Sequence, residues 1–376
     1  MTEALNTTVK TPDNVFAVAD QFRAQGMVLD IRAYGNGNIN RTFLVTLDSN
    51  ERRHFILQRI NTRVFRRPEL VMLNMRTLTE HVGNRLRSFS TGGDRRWEVP
   101  LVLSTRDGRD HWIDPGGSFW RAMSFIKGSR SFDTIRNIDH AREVGYALGM
   151  FQSLISDLPA ERLADTLEGF HITPRYLRHY DEVLERNDTV PSPEMDYGFR
   201  FVEKRRAWAH VLEEAKALGR LPLRPIHGDP KVNNIMIDVA THRAISIIDL
   251  DTVKPGLIHY DIGDCLRSCC NPLGEETEHW EQARFEPDLC RAILQGYLPL
   301  ARDFLTENDY EYLGDAVRLI AFELGLRFFT DYLEGNVYFN ARHKEHNLAR
   351  ALVQFKLTES IESQATLIHA IIRDMR

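Results

Sequence analysis

Two short apolar runs carry acids and amides at their edges. The first, Ile226-His227-Gly228-Asp229-Pro230-Lys231-Val232-Asn233-Asn234-Ile235-Met236-Ile237-Asp238, places a carboxylate at Asp229, an amine at Lys231 and an amide at Asn234. The second, Ala244-Ile245-Ser246-Ile247-Ile248-Asp249, reads as an apolar strand ending on a carboxylate. A carboxylate beside a hydroxyl can orient it or take its proton. Carboxylate and amide oxygens are hard donors that suit Mg²⁺, and a nearby lysine is a point charge for a phosphoryl group in transfer. Base, metal ligands and cation are what phosphoryl transfer asks of a protein. Each residue alone would equally suit a surface turn before a buried strand, because Asp and Asn are turn formers. The joint spacing, with a strand delivering Asp249, favours the site.

Such a site needs elements to hold it, and the chain changes character along its length. Residues 13–25 carry Val15, Phe16, Val18, Ala19 and Phe22 at helical spacing, with Gly26 as a stop. Val28–Tyr34, Arg41–Leu47 and His54–Ile60 read as strands, the first two separated by Gly35-Asn36-Gly37-Asn38-Ile39-Asn40. A glycine turn lets backbone N–H groups approach phosphates, and the same turn serves an ordinary hairpin. Pro68–Val82 begins as a helix should, with Pro and Glu. Ser88–Asp94 is polar and reads as a loop. Val99–Leu103 and His111–Ile113 suggest further strands, and Phe119–Gly128 is a strand running into a glycine. Beyond Gly128 the pattern is helical, at Ile138–Ile155, Glu194–Leu218, Glu281–Leu298 and Glu307–Leu333. A strand-rich part and a helix-rich part therefore meet near Gly128.

Composition narrows the partners. The 376 residues carry 48 Lys and Arg against 53 Asp and Glu, a net charge of −5, which gives no electrostatic case for nucleic acid or an anionic membrane. No apolar run approaches the ~20 residues of a membrane span, and the first residues lack a secretory pattern. Cys265, Cys269, Cys270 and Cys290 lack paired metal-ligand spacing. Buried, reduced thiols in a cytoplasmic protein are expected. Oligomeric state is not legible.

Asp229, Lys231, Asn234 and Asp249 follow the spacing that protein kinases use for a catalytic Asp, a Lys, an Asn and a metal-binding Asp. With His-Gly-Asp at 227–229, the motif set resembles the aminoglycoside phosphotransferase and choline kinase superfamily. It is most similar to the bacterial N-acetylhexosamine 1-kinases, at Gly35–Asn40, Ile56–Asn61, Ile248–Gly256, Arg327–Phe339 and His346–Ala351. The resemblance implies an α+β, two-lobe protein-kinase-like fold. An N-lobe over 1–126 would hold an antiparallel sheet plus a helix, and a larger, mainly helical C-lobe would span 127–376. It implies ATP as donor, Mg²⁺ as cofactor and the anomeric hydroxyl of N-acetylglucosamine or N-acetylgalactosamine as acceptor.

By the same resemblance, Asp229 is the base, Lys231 acts beside it, and Asn234 and Asp249 hold the metal. Gly35, Asn36, Gly37, Asn38 and Gln58 would face the nucleotide's phosphates, with Ser124 and Ile126 at the adenine. Kinases usually carry a lysine on the third strand. Here the choice is Gln58 or Arg59, which point to opposite faces. The helix glutamate that pairs with such a lysine is not evident, and Leu73 stands at its place. Asp261 is expected to brace the catalytic loop. Asp264 and Arg267 are expected near the sugar or in a helix-surface ion pair, and His171 at a sugar hydroxyl or in a structural role. The rivals are a kinase of another small alcohol and a pseudokinase that only binds.

Overall fold

The computed structural model describes residues 15–22, 26–35, 39–48, 53–88, 95–186 and 191–376. Asn36, Gly37 and Asn38 lie outside the described residues, as does most of the polar stretch before Asp94. The chain divides into two compact units. One comprises residues 1–79 and 100–127, and the other residues 80–99 and 128–376.

The first unit is an antiparallel sheet with helices. Helix α1 (Val15–Gln21) precedes strands β1 (Val28–Ala33), β2 (Arg41–Leu47) and β3 (His54–Arg59). Helix α2 (Pro68–Ser88), β4 (Val102–Leu103), β5 (Trp112–Ile113) and β6 (Phe119–Ser124) follow. The sheet runs β1-β2-β3-β6-β4, with β5 also on β6. Alternation sorts the side chains. Phe43, Val45, Phe55, Leu57, Trp120 and Ala122 form one core with Val15, Val18 and Ala19 of α1 and with Phe22 just beyond it. Thr42, Gln58 and Arg121 are register partners across β2, β3 and β6, on the face that Met75 of α2 meets. Arg59, one residue on, is exposed. Helix α2 runs past the expected Val82 to Ser88, and Arg85 and Arg87 in its last turn complement the helix dipole. The strands expected at Val99–Leu103 and His111–Ile113 shrink to two residues each, the ones that hold antiparallel register with β6.

The second unit is mainly helical. Strand β7 (Ser129–Arg130) is followed by α3 (Ile138–Ile155), α4 (Thr173–Leu184), α5 (Pro193–Arg205) and α6 (Val211–Ala217). Then come β8 (Arg224–Ile226), β9 (Ile235–Asp238), β10 (Ala244–Ile247) and β11 (Lys254–Gly256). Helices α7 (Ile258–Cys269), α8 (Pro287–Ala301), α9 (Glu307–Leu333), α10 (His346–Ser363) and α11 (Ala365–Met375) complete it. Strands β10-β9-β7 form one small sheet and β11-β8 another. The helix expected over Glu194–Leu218 is broken by a 3-10 turn at Arg206–Trp208. There Arg206 forks onto Asp181 at 2.8 and 2.9 Å, and Trp208 packs on Phe322. The helix expected from Glu281 starts at Pro287 instead, at the first-turn position where proline's missing N–H costs nothing. Helices α3 and α8 cross at glycine contacts: a Cβ at Gly145 would lie 1.9 Å from the Ile293 carbonyl, and one at Gly296 2.0 Å from that of Arg142. This approach brings Gln152 of α3 within hydrogen-bond reach of Tyr297 of α8.

Candidate active site

The His227-Gly228-Asp229 loop leaves β8 and is fixed from beneath. Asp261, in the first turn of α7 and fully buried, accepts the His227 N–H at 2.9 Å on Oδ2 and the Gly228 N–H at 2.7 Å on Oδ1. Gln152 Nε2 donates to the same Oδ2 at 3.0 Å, and the Tyr297 hydroxyl donates to Gln152 Oε1 at 2.6 Å. Helices α8, α3 and α7 thus converge on two backbone amides, which is the bracing expected of Asp261. Burial pushes the Asp261 pKa up, while the His227 imidazole and the N–H donors pull it back. Three N–H donors facing two oxygens favour the ionised carboxylate.

His227 is buried and neutral. Its Nδ1 accepts the Asp229 N–H at 3.2 Å, so the proton sits on Nε2 and is donated to the Ile248 carbonyl at 2.9 Å. Burial holds its pKa below the ordinary imidazole value. Gly228 has φ +85°, and a Cβ there would lie 2.8 Å from the Thr252 carbonyl. Thr252 also donates its hydroxyl to the His227 carbonyl at 2.7 Å. Only glycine fits between the two strand-end loops.

On this base sit the candidate reactive groups. Lys231 Nζ donates to Asp229 Oδ2 at 2.7 Å, with both side chains about a third exposed. Asn234 Nδ2 donates to the Asp229 carbonyl at 2.8 Å and to its Oδ2 at 3.3 Å. The Ile248 N–H donates to the Asn234 carbonyl at 2.9 Å and so holds Asn234 beside the end of β10. Asp249, the next residue, is exposed and left-handed at φ 65°, ψ 56°. Such a backbone costs of order 1–3 kcal/mol and clusters at functional sites. Burial works against the Lys231 ammonium, but the Asp229 and Asp249 carboxylates outweigh it and hold its pKa above the usual lysine value.

The donor set fits a magnesium ion. Asn234 Nδ2 is occupied by Asp229, which leaves Oδ1 for a cation, and Asp249 presents an exposed carboxylate. Among the described residues no cluster of three His, Cys, Asp or Glu gathers as a metal cage. Mg²⁺ is commonly held by one or two carboxylates plus substrate phosphates.

The remaining expected residues fall as follows. Asp264 and Arg267 do pair, at 2.8 Å, but the pair is buried on α7, not on its surface. Arg267 continues to Glu275 at 3.3 Å, and Glu275 also binds Arg350 of α10. Asp264 Oδ2 is buried without a hydrogen-bond partner. His171, buried with φ 63°, has no ring nitrogen left for a sugar hydroxyl: Nδ1 meets Glu323 at 2.9 Å and Nε2 the Gly228 carbonyl at 2.8 Å. Burial alone would neutralise it, but the Glu323 carboxylate and the Gly228 carbonyl hold its pKa above the ordinary value. Ser124 is engaged inside the sheet, its N–H donating to the Leu101 carbonyl and its hydroxyl accepting the Leu101 N–H, both at 2.9 Å. Gln58 accepts two bonds from Arg121, at 2.9 and 2.6 Å. Leu73 is 50% exposed, whereas its neighbour Asn74 is buried.

Sequence reasoning passed over Gln152, Glu323 and Asp331. Asp331 accepts the Tyr338 and Phe339 N–H groups at 2.7 and 3.0 Å and Asn347 Nδ2 at 2.9 Å, and so shapes the turn after α9. Arg327 of α9 stacks within 5.3 Å of the Phe170, Tyr176 and Phe339 rings, in the field of Asp229. The signal for Gln152 and Glu323 was a polar residue inside an apolar helical run, Met150-Phe151-Gln152-Ser153-Leu154 and Ala321-Phe322-Glu323-Leu324.

Solved structures share the fold. An aminoglycoside phosphotransferase from Alicyclobacillus acidocaldarius subsp. acidocaldarius DSM 446 superposes with a TM-score of 0.65 at 13% identity, covering 99% of this chain and all of the other. A microcompartment-associated aminopropanol kinase gives 0.60 at 19% identity, over 93% of this chain and 98% of its own. An amicoumacin kinase in complex with AMP-PNP, Ca²⁺ and Ami gives 0.53 at 15%, over 89% and 88%. The fold is thus the kinase-like α+β architecture. Residues 30–302 match the phosphotransferase enzyme family, and the chain belongs to it.

No helix among the described residues is long and apolar enough to cross a membrane.

Proposed function

We propose that this phosphotransferase moves the γ-phosphoryl group of ATP, with Mg²⁺, onto the anomeric hydroxyl of an N-acetylhexosamine. The observation that carries the reading is Asp229, tied to Lys231 and Asn234 on a loop braced by Asp261. Asp229 takes the acceptor's proton. Anomeric hydroxyls are more acidic than ordinary alcohols, so a positioned carboxylate suffices. Lys231 turns its charge to the phosphoryl group in flight. Asn234 and Asp249 would hold the metal, which would offset charge on the phosphates. The turn at Gly35, Asn36, Gly37 and Asn38, with Gln58, is assigned to the phosphates, and the segment Ser124–Ile126 to adenine. The intact Asp229, Asn234 and Asp249 speak against a binding-only pseudokinase. The free, buried cysteines suit a cytoplasmic setting.

The similar structures include an aminoglycoside phosphotransferase and an aminopropanol kinase, so the acceptor class turns on charge. In this chain several carboxylates of the second unit are ion-paired: Asp264 with Arg267, Glu275 with Arg267 and Arg350, Glu276 with Arg350, and Glu323 with His171. Arg327 adds a guanidinium ringed by aromatic faces. That balance suits a neutral, polyhydroxylated acceptor with an amide better than a polycationic one. The likeness at Ile248–Gly256 and Arg327–Phe339 narrows it to N-acetylhexosamines.

Phosphorus NMR of products from N-acetylglucosamine, N-acetylgalactosamine, glucose and a methyl glycoside tests this. An anomeric phosphate on the N-acetyl sugars is expected, with none on the glycoside. Glucose should be poorer by roughly tenfold or more, since an unpaired buried partner of the acetamide costs about 1–3 kcal/mol. Phosphate on another ring hydroxyl, or turnover of the methyl glycoside, refutes the sugar assignment. Asp249→Ala should abolish activity and weaken Mg·ATP binding far more than sugar binding.

A further inference from the structure

Strand β3, which the proposed function sets against the nucleotide's phosphates, carries a neutral residue, Gln58, where a polyphosphate calls for a cation. The structure places a cation one strand away. Arg121 of β6 is the register partner of Gln58 and is 1% exposed. Its Nε and Nη2 both donate to Gln58 Oε1, at 2.9 and 2.6 Å, and its Nη1 lies 2.8 Å from Met75 Sδ on α2. Gln58 in turn donates from Nε2 to the Thr42 hydroxyl at 2.9 Å. Thr42, Gln58 and Arg121 thus form one polar row across three adjacent strands. Thr42 lies at the start of β2, just after the Gly35–Asn40 turn.

This geometry orients the amide. Gln58 Oε1 can only accept, and the guanidinium fork fixes it toward β6. The NH₂ group must then point the other way, toward Thr42 on β2. One of its two hydrogens serves Thr42 and the other is left for a further acceptor. Gln58 is partly exposed, whereas Arg121 is not. Arginine keeps its charge in a protein interior, and a charge within the sheet is poorly screened. The row therefore delivers a positive field through a neutral amide whose N–H is the contact group.

We propose that Arg121 is the buried cation of the nucleotide phosphate site, acting through Gln58 as a positioning residue and not by touching the phosphates. This rests on the ATP-dependent reading above. It assigns the phosphate contact to Gln58 over Arg59 and moves the charge to β6. The partner helix needs no glutamate for this arrangement: α2 offers Met75 to the guanidinium.

The test is a charge transplant read by Mg·ATP affinity, using calorimetry with the full chain, alongside KM and kcat. Arg121→Met should weaken Mg·ATP at least tenfold and raise KM for ATP. KM for the sugar should stay unchanged. Arg121→Lys should stay within a few-fold of the parent. In the double variant Gln58→Lys/Arg121→Met, the cation sits on β3 itself, and affinity should recover most of the loss. Circular dichroism melts identify the folded variants. A folded Arg121→Met chain with parental affinity overturns the proposal. So does a folded double variant that binds no better than Arg121→Met, since a merely structural arginine would not be rescued from another strand. If the parent binds no Mg·ATP, the proposed function itself fails, and this inference with it. If Arg121→Met does not fold, Arg121→Lys and the double variant decide: parental-level binding by both supports the proposal, and loss by both overturns it.

Discussion

Replacing Asp261 by Asn tests whether the catalytic loop is held by charge or by shape. The substitution keeps size and geometry but exchanges one acceptor oxygen for an NH₂ group. In the parent, Oδ2 serves both His227 N and Gln152 Nε2, and Oδ1 serves Gly228 N. The better of the two amide orientations keeps oxygen at Oδ2, so the Gly228 N–H then confronts another donor. One buried amide without a partner costs about 1–3 kcal/mol. The two surviving bonds lose their charge assistance and weaken further. Gln152 cannot compensate by flipping, because its Oε1 already accepts from Tyr297 at 2.6 Å. The lost bond is at Gly228, directly before Asp229, so the loop shifts at the proposed base. Misplacement by about an ångström can cost on the order of 10²-fold in rate. The expected phenotype is a chemical-denaturation stability lower by about 1–3 kcal/mol. In steady-state assays kcat should fall by about two orders of magnitude, with KM for ATP little changed. Asp229→Asn, by contrast, should lose most turnover while keeping parental stability and nucleotide affinity. A folded Asp261→Asn enzyme with parental kcat and stability would refute the bracing argument.

Other outcomes follow from the same geometry. Gly228→Ala sets a Cβ 2.8 Å from the Thr252 carbonyl on a φ of +85°; the two loops must separate, and both the melting temperature and kcat should drop. His171→Ala strands the buried Glu323 carboxylate and should cost about 3–5 kcal/mol, whereas His171→Leu/Glu323→Leu should regain most of that in denaturant melts. Arg224 and Thr306 hold the Asp309 pKa below its usual 3.8 against the opposing effect of burial. A depressed carboxylate stabilises the fold above its unfolded pKa and loses that contribution as pH falls through the folded value. Parent stability should therefore decline as pH drops below about 4, and an Asp309→Asn variant, weaker at neutral pH, should show a shallower decline over the same window.

The sequence by itself determined the chemistry-bearing positions that lie close along the chain. Asp229, Lys231 and Asn234 fall within six residues, so local backbone geometry alone brings them together, and the apolar run Ala244–Ile248 could only deliver Asp249 at its end. Hydrophobic periodicity likewise marked α3 and α9 to the residue, since both are long and steadily patterned. What the tertiary structure decided are partnerships across large separations. Gln152 meets Asp261 across 109 residues, and His171 meets Glu323 across 152. No local pattern encodes such distances: a glutamate inside an apolar helix face announces that it needs a partner but not which one. The same limit hid the contact of Arg121 with Gln58, whose register is set by sheet pairing across 63 residues. It also left His171 open between a sugar hydroxyl and a structural role, because a ring nitrogen's availability depends on what the fold packs against it. Spacing fixed which groups could react, and close packing of α3, α7, α8 and α9 fixed which of them are held still.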